Sequence, residues 1–380
     1  MDIVQYLKLM VQKGASDLFF SAGTPVNIKI EGVTGPIGDQ SMSPEMVKEL
    51  AYSIMNDRQI AEFEEELEMN LAMPVPELGR FRVNIFRQRG AVAMVIRYIT
   101  ARIPTIEALN LPKILKDLIM APRGLILVVG STGSGKSTTL ASMIDHRNEN
   151  KSGHIFSIEE PIEYIHAHKK SVVDQREVGL DTHSYDNALK NALREAPDVI
   201  MIGEIRDRET MQHALAYADT GHLCLATLHA NNANQTLERV INFFPENAHH
   251  QLLEDLSQHL RAVISQRLLI GVDGKRLPAV EVMLASAYVK ELIKKGDIDN
   301  IKEAMEQSTD RGMQTFDQAL FTMYRAGKIG LEEALSNADS RNNLSLRIRL
   351  EGGEGLRAFE GSLEYAESEE FDESNLDGRN

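Results

Sequence analysis

The chain is poor in cysteine, with Cys224 as the single one among 380 residues. One thiol excludes a disulfide within the chain and a zinc cage built from several cysteines. Long apolar runs are also missing, since none approaches the roughly 18–20 residues that a membrane-spanning helix needs. The first residues, 1–8, show neither the basic region nor the apolar core of a signal peptide, so we expect a cytoplasmic protein.

Basic residues are outnumbered, and the net charge is −15. More than half of this charge lies in residues 351–380, which carry ten acidic and two basic side chains for a net −8. Because this segment has little apolar surface to bury, residues 346–380 are predicted to form an acidic disordered tail, which either aids solubility or binds a partner. No basic stripe with interleaved aromatic residues is present, so a nucleic-acid partner is not expected.

One nine-residue stretch matches the phosphate-binding pattern G-x-x-x-x-G-K-[ST]. It follows a short apolar run, 125–129, that predicts a buried parallel strand, and Leu140, Met143 and Ile144 behind it have helical spacing. A glycine-rich turn with a chance lysine is disfavoured because both flanks agree with the motif. The stretch is predicted to bind the phosphates of a nucleoside triphosphate, with Lys136 near the β- and γ-phosphates and the Ser137 hydroxyl on Mg²⁺. Its residues are Gly130, Ser131, Thr132, Gly133, Ser134, Gly135, Lys136, Ser137 and Thr138.

The pattern along the chain predicts two domains of different type. Residues 1–100 read as a small α+β domain with helices over 2–12 and 44–68 and strands among them, and residues 101–114 read as a linker. From 115 to 345 strands and helices alternate, as expected for an α/β domain with a parallel sheet. The candidate strands are 125–129, 154–158, 198–202 and 223–227; an amphipathic helix is predicted over 252–268, and mostly helix over 286–340.

Acidic residues follow the predicted strands, at the sheet edge where parallel sheets bind ligands. Glu204, after strand 198–202 and Gly203, is the candidate to orient or deprotonate the attacking water. Glu163 is a further acid for this site, whereas Glu159 and Glu160 fit equally well as charges at a helix start. Gly203 stands where an aspartate usually precedes the Walker B glutamate.

Two histidines flank strand 223–227. On residue type alone, His222 and His229 are better explained as hydrogen-bonded structural side chains than as residues of a catalytic site.

Residues 1–345 resemble the secretion ATPases of type II secretion and type IV pilus systems, and within them the pilus-retraction branch of PilT and PilU, with more likeness to PilU. The matching motifs lie at 15–23, 79–84, 130–138, 157–166, 175–179, 193–198, 203–207, 220–230, 264–266 and 312–315. Glu160 replaces the aspartate that PilT usually carries in the family's Asp box, which lies at 157–166. The missing aspartate at Gly203 is shared with the family.

The resemblance implies a PAS-like N-terminal domain, a RecA-like ATPase domain and a ring-shaped homo-hexamer. It implies phosphate and Mg²⁺ binding by Lys136, Ser137 and Thr138, water activation and metal positioning by Glu204 and Glu163, and sensing of the γ-phosphate by His229. It also implies N-terminal arginines that reach a nucleotide in the ring. Arg82 and Arg97 match these positions best, with Arg80, Arg87 and Arg89 as alternatives.

The function that the resemblance implies is an ATP-driven motor for pilus retraction and twitching motility, acting with PilT on an inner-membrane platform protein at the pilus base. Two features differ from PilT. Residues 285–293 replace its Ala-Ile-Arg-Asn-Leu-Ile motif, and the acidic tail extends beyond its end. Both suit PilU, and they leave open an alternative, a nucleotide-bound accessory or scaffolding subunit that supports PilT with little turnover of its own.

Overall fold

A computed structural model describes residues 2–30, 32–99 and 102–351 of the chain. The described residues divide into two compact units. The first consists of residues 2–108, 113–126 and 137–227, and the second of residues 109–112, 127–136 and 228–351. The predicted acidic tail lies outside the described residues from 352 onward.

In the described part of residues 2–99, an antiparallel sheet of six strands has the order β3-β2-β1-β6-β5-β4. Side chains of β5 alternate between buried and half-buried, and its buried set (Phe81, Val83 and Ile85) joins a core shared with the helices. The helices predicted over 2–12 and 44–68 are confirmed, and strands β3 and β4 are present in addition to the strands predicted from the sequence. The elements are α1 (Ile3–Gln12), β1 (Asp17–Phe20), β2 (Asn27–Ile30), β3 (Val33–Pro36), α2 (Pro44–Ser53), α3 (Asp57–Glu66), β4 (Glu68–Val75), β5 (Gly79–Gln88) and β6 (Ala91–Ile99).

The later elements alternate between helix and strand. They are α4 (Ile114–Ile119), β7 (Gly124–Val129), α5 (Lys136–Asn150), β8 (Gly153–Glu159), β9 (Ser171–Glu177), α6 (Tyr185–Ala192), β10 (Val199–Ile202), α7 (Arg208–Asp219), β11 (Leu223–Leu228), α8 (Ala233–Asn242), α9 (His249–His259), β12 (Leu260–Ile270), β13 (Arg276–Leu284), α10 (Ala287–Lys295), α11 (Ile301–Glu306), α12 (Phe316–Arg325), α13 (Leu331–Ser336) and α14 (Arg341–Glu351).

The second sheet has the strand order β13-β12-β7-β11-β10-β8-β9. The four candidate strands are confirmed as β7, β8, β10 and β11, and β8, β9, β10 and β11 pair in parallel. Every residue of β10 and of β11 is buried, which explains why these strands read as uninterrupted apolar runs.

The single helix predicted over residues 252–268 is wrong in its second half. Helix α9 ends at His259, and residues 260–270 form β12, which pairs antiparallel with β13. Residues 262–266 are all buried, the polar Ser265 and Gln266 included. The apolar residues among 252–268 also recur at helical spacing, so the apolar pattern alone does not separate a helix from a core strand here. Helix α14 includes residues 346–351, the first part of the predicted tail.

A buried arginine joins the helix after the glycine loop to the helix before β7. The Arg147 side chain in α5 donates from Nη1 to the carbonyl oxygens of Ile119 at 2.7 Å and Ala121 at 2.9 Å. These carbonyls lie at and just beyond the end of α4, where helix carbonyls lack partners within the helix. Burial lowers the pKa of Arg147, and the nearby Asp198 opposes this effect. The guanidinium therefore fixes α5 against α4 from inside the first unit.

We expect Arg147→Met to lower the free energy of unfolding by about 2–4 kcal/mol, because the buried Ile119 carbonyl and the half-buried Ala121 carbonyl lose a charged donor. Arg147→Lys keeps the charge and is expected to cost less. Calorimetric melting of the two variants beside wild type measures the difference. Equal melting temperatures for Arg147→Met and wild type would contradict the role given to this contact.

Candidate active site

The glycine loop is shaped by its contact with β12. Gln266 Nε2 donates a hydrogen bond of 2.8 Å to the Ser134 carbonyl oxygen. A Cβ atom at Gly135 would lie 2.7 Å from Gln266 Nε2, and one at Gly130 would overlap the Gln266 carbonyl oxygen. Both glycines also have positive φ angles, +152° and +89° for Gly130 and Gly135. Glycine is required at both positions for steric reasons as well as for backbone conformation.

The loop fits a phosphate. Lys136 Nζ donates to the carbonyl oxygens of Gly130 and Ser131, both at 2.9 Å, so its ammonium group lies against the loop. The Ser134 hydroxyl is buried and has no hydrogen-bond partner among the described residues. A buried hydroxyl without a partner is costly, and a bound phosphate oxygen supplies an acceptor. Gly133 also has a positive φ angle, +78°, and successive backbone N–H groups in turns of this kind form anion-binding concavities.

His229 lies beside this loop, within the second unit. It lines a cavity of about 470 Å³ together with Gly130, Ser131, Gln235 and Arg239. His222 is different, because its Nδ1 lies 3.1 Å from Thr220 Oγ1 and 3.2 Å from the Tyr217 carbonyl oxygen. The structural interpretation therefore fits His222, whereas His229 faces the same cavity as the first residues of the glycine loop.

In the first unit, the end of β8 is organised by a buried carboxylate. Glu159 accepts hydrogen bonds from Ser157 Oγ at 2.7 Å and Gln175 Nε2 at 3.0 Å, and from the backbone N–H of Glu163. Burial raises its pKa, and these donors oppose the shift. Glu159 therefore fixes the loop that carries Glu163, whose own side chain is exposed. Next to it, the Tyr164 hydroxyl lies 2.9 Å from Thr138 Oγ1, and Ser137 is half-buried.

Glu204 is linked to Glu160 through one arginine. Arg206 donates from Nε to the Glu204 carboxylate at 2.9 Å and from Nη1 to the Glu160 carboxylate at 2.8 Å. The Glu204 side chain is 20% exposed and that of Arg206 54%. The polar signal after β10 was visible in the sequence, but the role of Arg206 was missed because Glu160 lies 46 residues away.

Residues 2–335 match the family model described as "Type II/IV secretion system protein". The chain belongs to this family. Over its full length the chain is 52% identical to the type IV pilus ATPase PilU of Pseudomonas aeruginosa and covers 99% of that protein. It is 41% identical over 90% of its length to PilT of the same organism, covering all of PilT. A crystal structure described as the pilus retraction motor PilT with bound ADP shares 41% identity, with a TM-score of 0.86, over 91% of this chain and 99% of that chain.

This secretion ATPase is therefore an ATP-hydrolysing enzyme of the PilT/PilU branch. The predicted fold class is confirmed, an N-terminal PAS-like α+β domain followed by a RecA-like ATPase domain. Within the described residues, every helix is too short or too polar to cross a membrane.

Arg82 and Arg97, the predicted nucleotide-binding arginines, are direct partners on the adjacent strands β5 and β6. Directly opposite residues of an antiparallel pair share one face of the sheet. Arg97 Nε donates to Asp17 Oδ1 at 2.8 Å. Among the alternatives, Arg80 lies 3.6 Å from the Glu177 carboxylate and Arg87 lies 2.6 Å from that of Glu64. Contact of Arg82 and Arg97 with a nucleotide stays a prediction.

A buried glutamate that sequence reasoning missed anchors the segment after His229. Glu281 in β13 accepts hydrogen bonds from the Ala233 backbone N–H at 2.7 Å and from Ser265 Oγ at 3.0 Å. Ala233 begins α8, and Ser265 precedes Gln266 in β12. Burial raises the pKa of Glu281 to about 7; Asp339 adds to the shift, and the two donors and Arg267 oppose it.

The raised pKa of Glu281 predicts a pH-dependent difference in stability between Glu281→Gln and wild type. Below pH 4.5 the carboxyl is protonated in both folded and unfolded chains, and between pH 4.5 and about 7 only the unfolded chain loses its proton. Wild type therefore loses up to about 3 kcal/mol over this range, and the neutral glutamine does not. Melting curves at pH 5, 6, 7 and 8 measure the difference.

The matched control is Glu246→Gln, which removes an exposed carboxylate. Its stability relative to wild type is expected to stay constant over these pH values. A constant difference for Glu281→Gln as well would contradict the raised pKa.

Proposed function

We propose that this secretion ATPase assembles into a ring-shaped homo-hexamer whose ATP hydrolysis promotes type IV pilus retraction and twitching motility, together with a PilT-like ATPase. The observation that carries the proposal is the 52% identity to PilU over nearly the whole of both chains. The protein acts on the cytoplasmic side of the pilus base, against an inner-membrane platform protein, and binds no nucleic acid. Residues 101–114 link an N-terminal domain, 1–100, to the ATPase domain, 115–345.

ATP binds at the glycine loop, through inward N–H groups and the Lys136 ammonium. Lys136 exchanges its bonds to the Gly130 and Ser131 carbonyl oxygens for the β- and γ-phosphates. The Ser137 hydroxyl and the exposed Glu163 carboxylate would hold Mg²⁺, which would offset the negative charge of the phosphates. The loop geometry supports this role because its shape is already fixed by Gln266.

Glu204 orients or deprotonates the attacking water. Its carboxylate is held by Arg206, which also holds Glu160, so the water-activating group has a fixed resting position. His229 senses the γ-phosphate from the cavity that it shares with Gly130 and Ser131. Arg82 and Arg97 reach a nucleotide in the ring and offset charge that develops on the transferred phosphoryl group.

A specific observation favours the accessory alternative. The segment 285–293 differs from the motif of PilT. Its residues 287–293 form the first part of α10, which Ser286 caps and on which Tyr288 is exposed. The likeness to PilU covers all of this chain, whereas the likeness to PilT covers 90% of it. A subunit that binds ATP and supports PilT with little turnover of its own is therefore the second candidate.

We expect Glu204→Gln to lower the steady-state rate of ATP hydrolysis by about 100-fold or more, because general-base and water-orienting groups contribute about 10²–10⁴ in rate. Binding of a fluorescent ATP analogue is expected to persist. Glu209→Gln is the matched control, since Glu209 is an exposed carboxylate in the first turn of α7. Phosphate release by the purified full chain is the measurement. A Glu204→Gln rate within twofold of wild type would remove Glu204 from the mechanism.

The role in retraction is tested with the same variants in cells. A strain without the chromosomal gene receives wild type, Glu204→Gln or Glu209→Gln, and twitching zones are measured with and without its PilT-like ATPase. Loss of twitching with Glu204→Gln alone supports the motor. Full twitching with Glu204→Gln that still needs PilT supports the accessory subunit, and twitching that is independent of this gene would exclude both.

A further inference from the structure

Gly203, between β10 and Glu204, is enclosed on several sides. Its N–H donates to the Ile158 carbonyl oxygen at 2.7 Å, and its carbonyl oxygen accepts from the Thr227 hydroxyl. A Cβ atom at this position would lie 2.7 Å from the Tyr185 hydroxyl oxygen, 3.1 Å from the Ile158 carbonyl oxygen and 3.2 Å from Glu159 Cα. The φ angle of Gly203 is not positive, so space and not backbone strain excludes a side chain.

The nearest obstacle is the tip of Tyr185, the first residue of α6. The Ser184 side chain caps this helix by accepting a hydrogen bond of 3.1 Å from the Asn187 N–H, and this cap fixes the start of the helix at Tyr185. The ring is half-buried. The space that an aspartate side chain after β10 would need is therefore occupied by a phenol hydroxyl from another part of the first unit.

The charged groups around this hydroxyl are those of the hydrolytic site. Burial raises the pKa of Tyr185 well above its usual range, Glu160, Glu159 and Glu204 add to the shift, and Arg206 opposes it. The hydroxyl therefore stays protonated at any pH at which the enzyme works, and a protonated phenol donates a hydrogen bond. Two of these carboxylates, Glu160 and Glu204, share the Arg206 guanidinium, and a neutral phenol adds no further negative charge to this group.

We propose that Tyr185 is a positioning residue for ATP hydrolysis, whose hydroxyl takes the space of the missing Walker B aspartate and orders the chain Glu160–Arg206–Glu204. Arg206 already joins the two carboxylates at 2.8 and 2.9 Å. The tyrosine hydroxyl adds a second constraint, because it lies against Gly203, the residue that directly precedes Glu204. The inference rests on the ATPase activity and is independent of the proposed role in retraction.

The first test compares Tyr185→Phe with wild type in ATP hydrolysis by the purified full chain. Removal of the hydroxyl alone is expected to lower kcat about tenfold and to change KM for ATP by less than twofold, because the glycine loop is untouched. The acidic limb of the kcat–pH profile is expected to move to higher pH by about half a unit or more, since a phenol donor coupled to Glu160, Glu159 and Glu204 favours their charged forms and its loss removes this effect. A structural role alone does not move that limb.

Tyr217→Phe is the matched control. Its hydroxyl is buried and donates to the Leu189 carbonyl oxygen at 2.6 Å, so the variant loses a phenol hydrogen bond away from the acidic residues. It is expected to lose stability and to keep the wild-type kcat and pH profile. The proposal is overturned if Tyr185→Phe keeps kcat within twofold and the same acidic limb.

The second test reads the geometry without activity. Gly203→Ala is expected to lower the melting temperature, because its Cβ collides with the Tyr185 hydroxyl. The double variant Tyr185→Phe/Gly203→Ala lacks the hydroxyl with which the new Cβ collides. Its melting temperature is therefore expected to fall by less than the sum of the decreases in the two single variants. Strictly additive decreases in melting temperature would contradict the contact between Tyr185 and Gly203 and overturn the proposal. Both tests use purified protein, so their failure leaves the retraction proposal standing, and failure of the twitching experiment leaves this one standing.

Discussion

The close approach of β12 to the glycine loop is the constraint on which the site depends. Gln266 holds the Ser134 carbonyl oxygen, and its own atoms leave no room for a Cβ at Gly130 or Gly135. The preceding residue of the same strand, Ser265, donates to Glu281, which in turn accepts from the N–H that begins α8. One strand therefore fixes the phosphate-binding loop on one side and the segment after His229 on the other. Both are held before any ligand contributes binding energy, which lowers the cost of ordering them.

The carboxylates of the protein divide by burial into two kinds. Glu159 and Glu281 are buried, accept two or more hydrogen bonds each, and hold backbone N–H groups of the Glu163 and His229 segments. Burial of a carboxylate is tolerated when donors satisfy it, and such a group rigidifies the structure around it. Glu163 and Glu204 retain exposure and are the acids suited to contact water or a metal. The buried Glu159 thus positions the accessible Glu163, whereas the accessible Glu204 is held by Arg206.

Structural features that depend on neighbouring residues could be predicted from the sequence, whereas contacts between residues far apart in the chain could not. The glycine loop and β7, β8, β10 and β11 follow from local pattern, because buried parallel strands are short apolar runs bounded by polar residues. Periodicity misassigned residues 260–268, because the apolar residues of 252–268 recur at helical spacing although 260–268 belong to a strand. Gln266 reaches Ser134 across 132 residues, so no spacing in the sequence indicates that contact. The contacts of Glu281 and the position of Tyr185 were missed for the same reason. The one local signal for Tyr185 was Gly203, a glycine where an aspartate is usual.

The strength of each contact also matches its task. Arg206 is half exposed, and exposed ion pairs contribute only about 0–1 kcal/mol, so its bonds to Glu204 and Glu160 exchange at little cost when phosphate charge is near. The contacts of Gln266 and Glu281 are buried, and breaking them leaves polar groups without partners at a cost of about 1–3 kcal/mol each. An enzyme that turns over repeatedly has to rearrange its reactive groups while the structure around them stays folded. The fold meets both needs by placing the exchangeable contacts at the surface and the permanent ones in the interior.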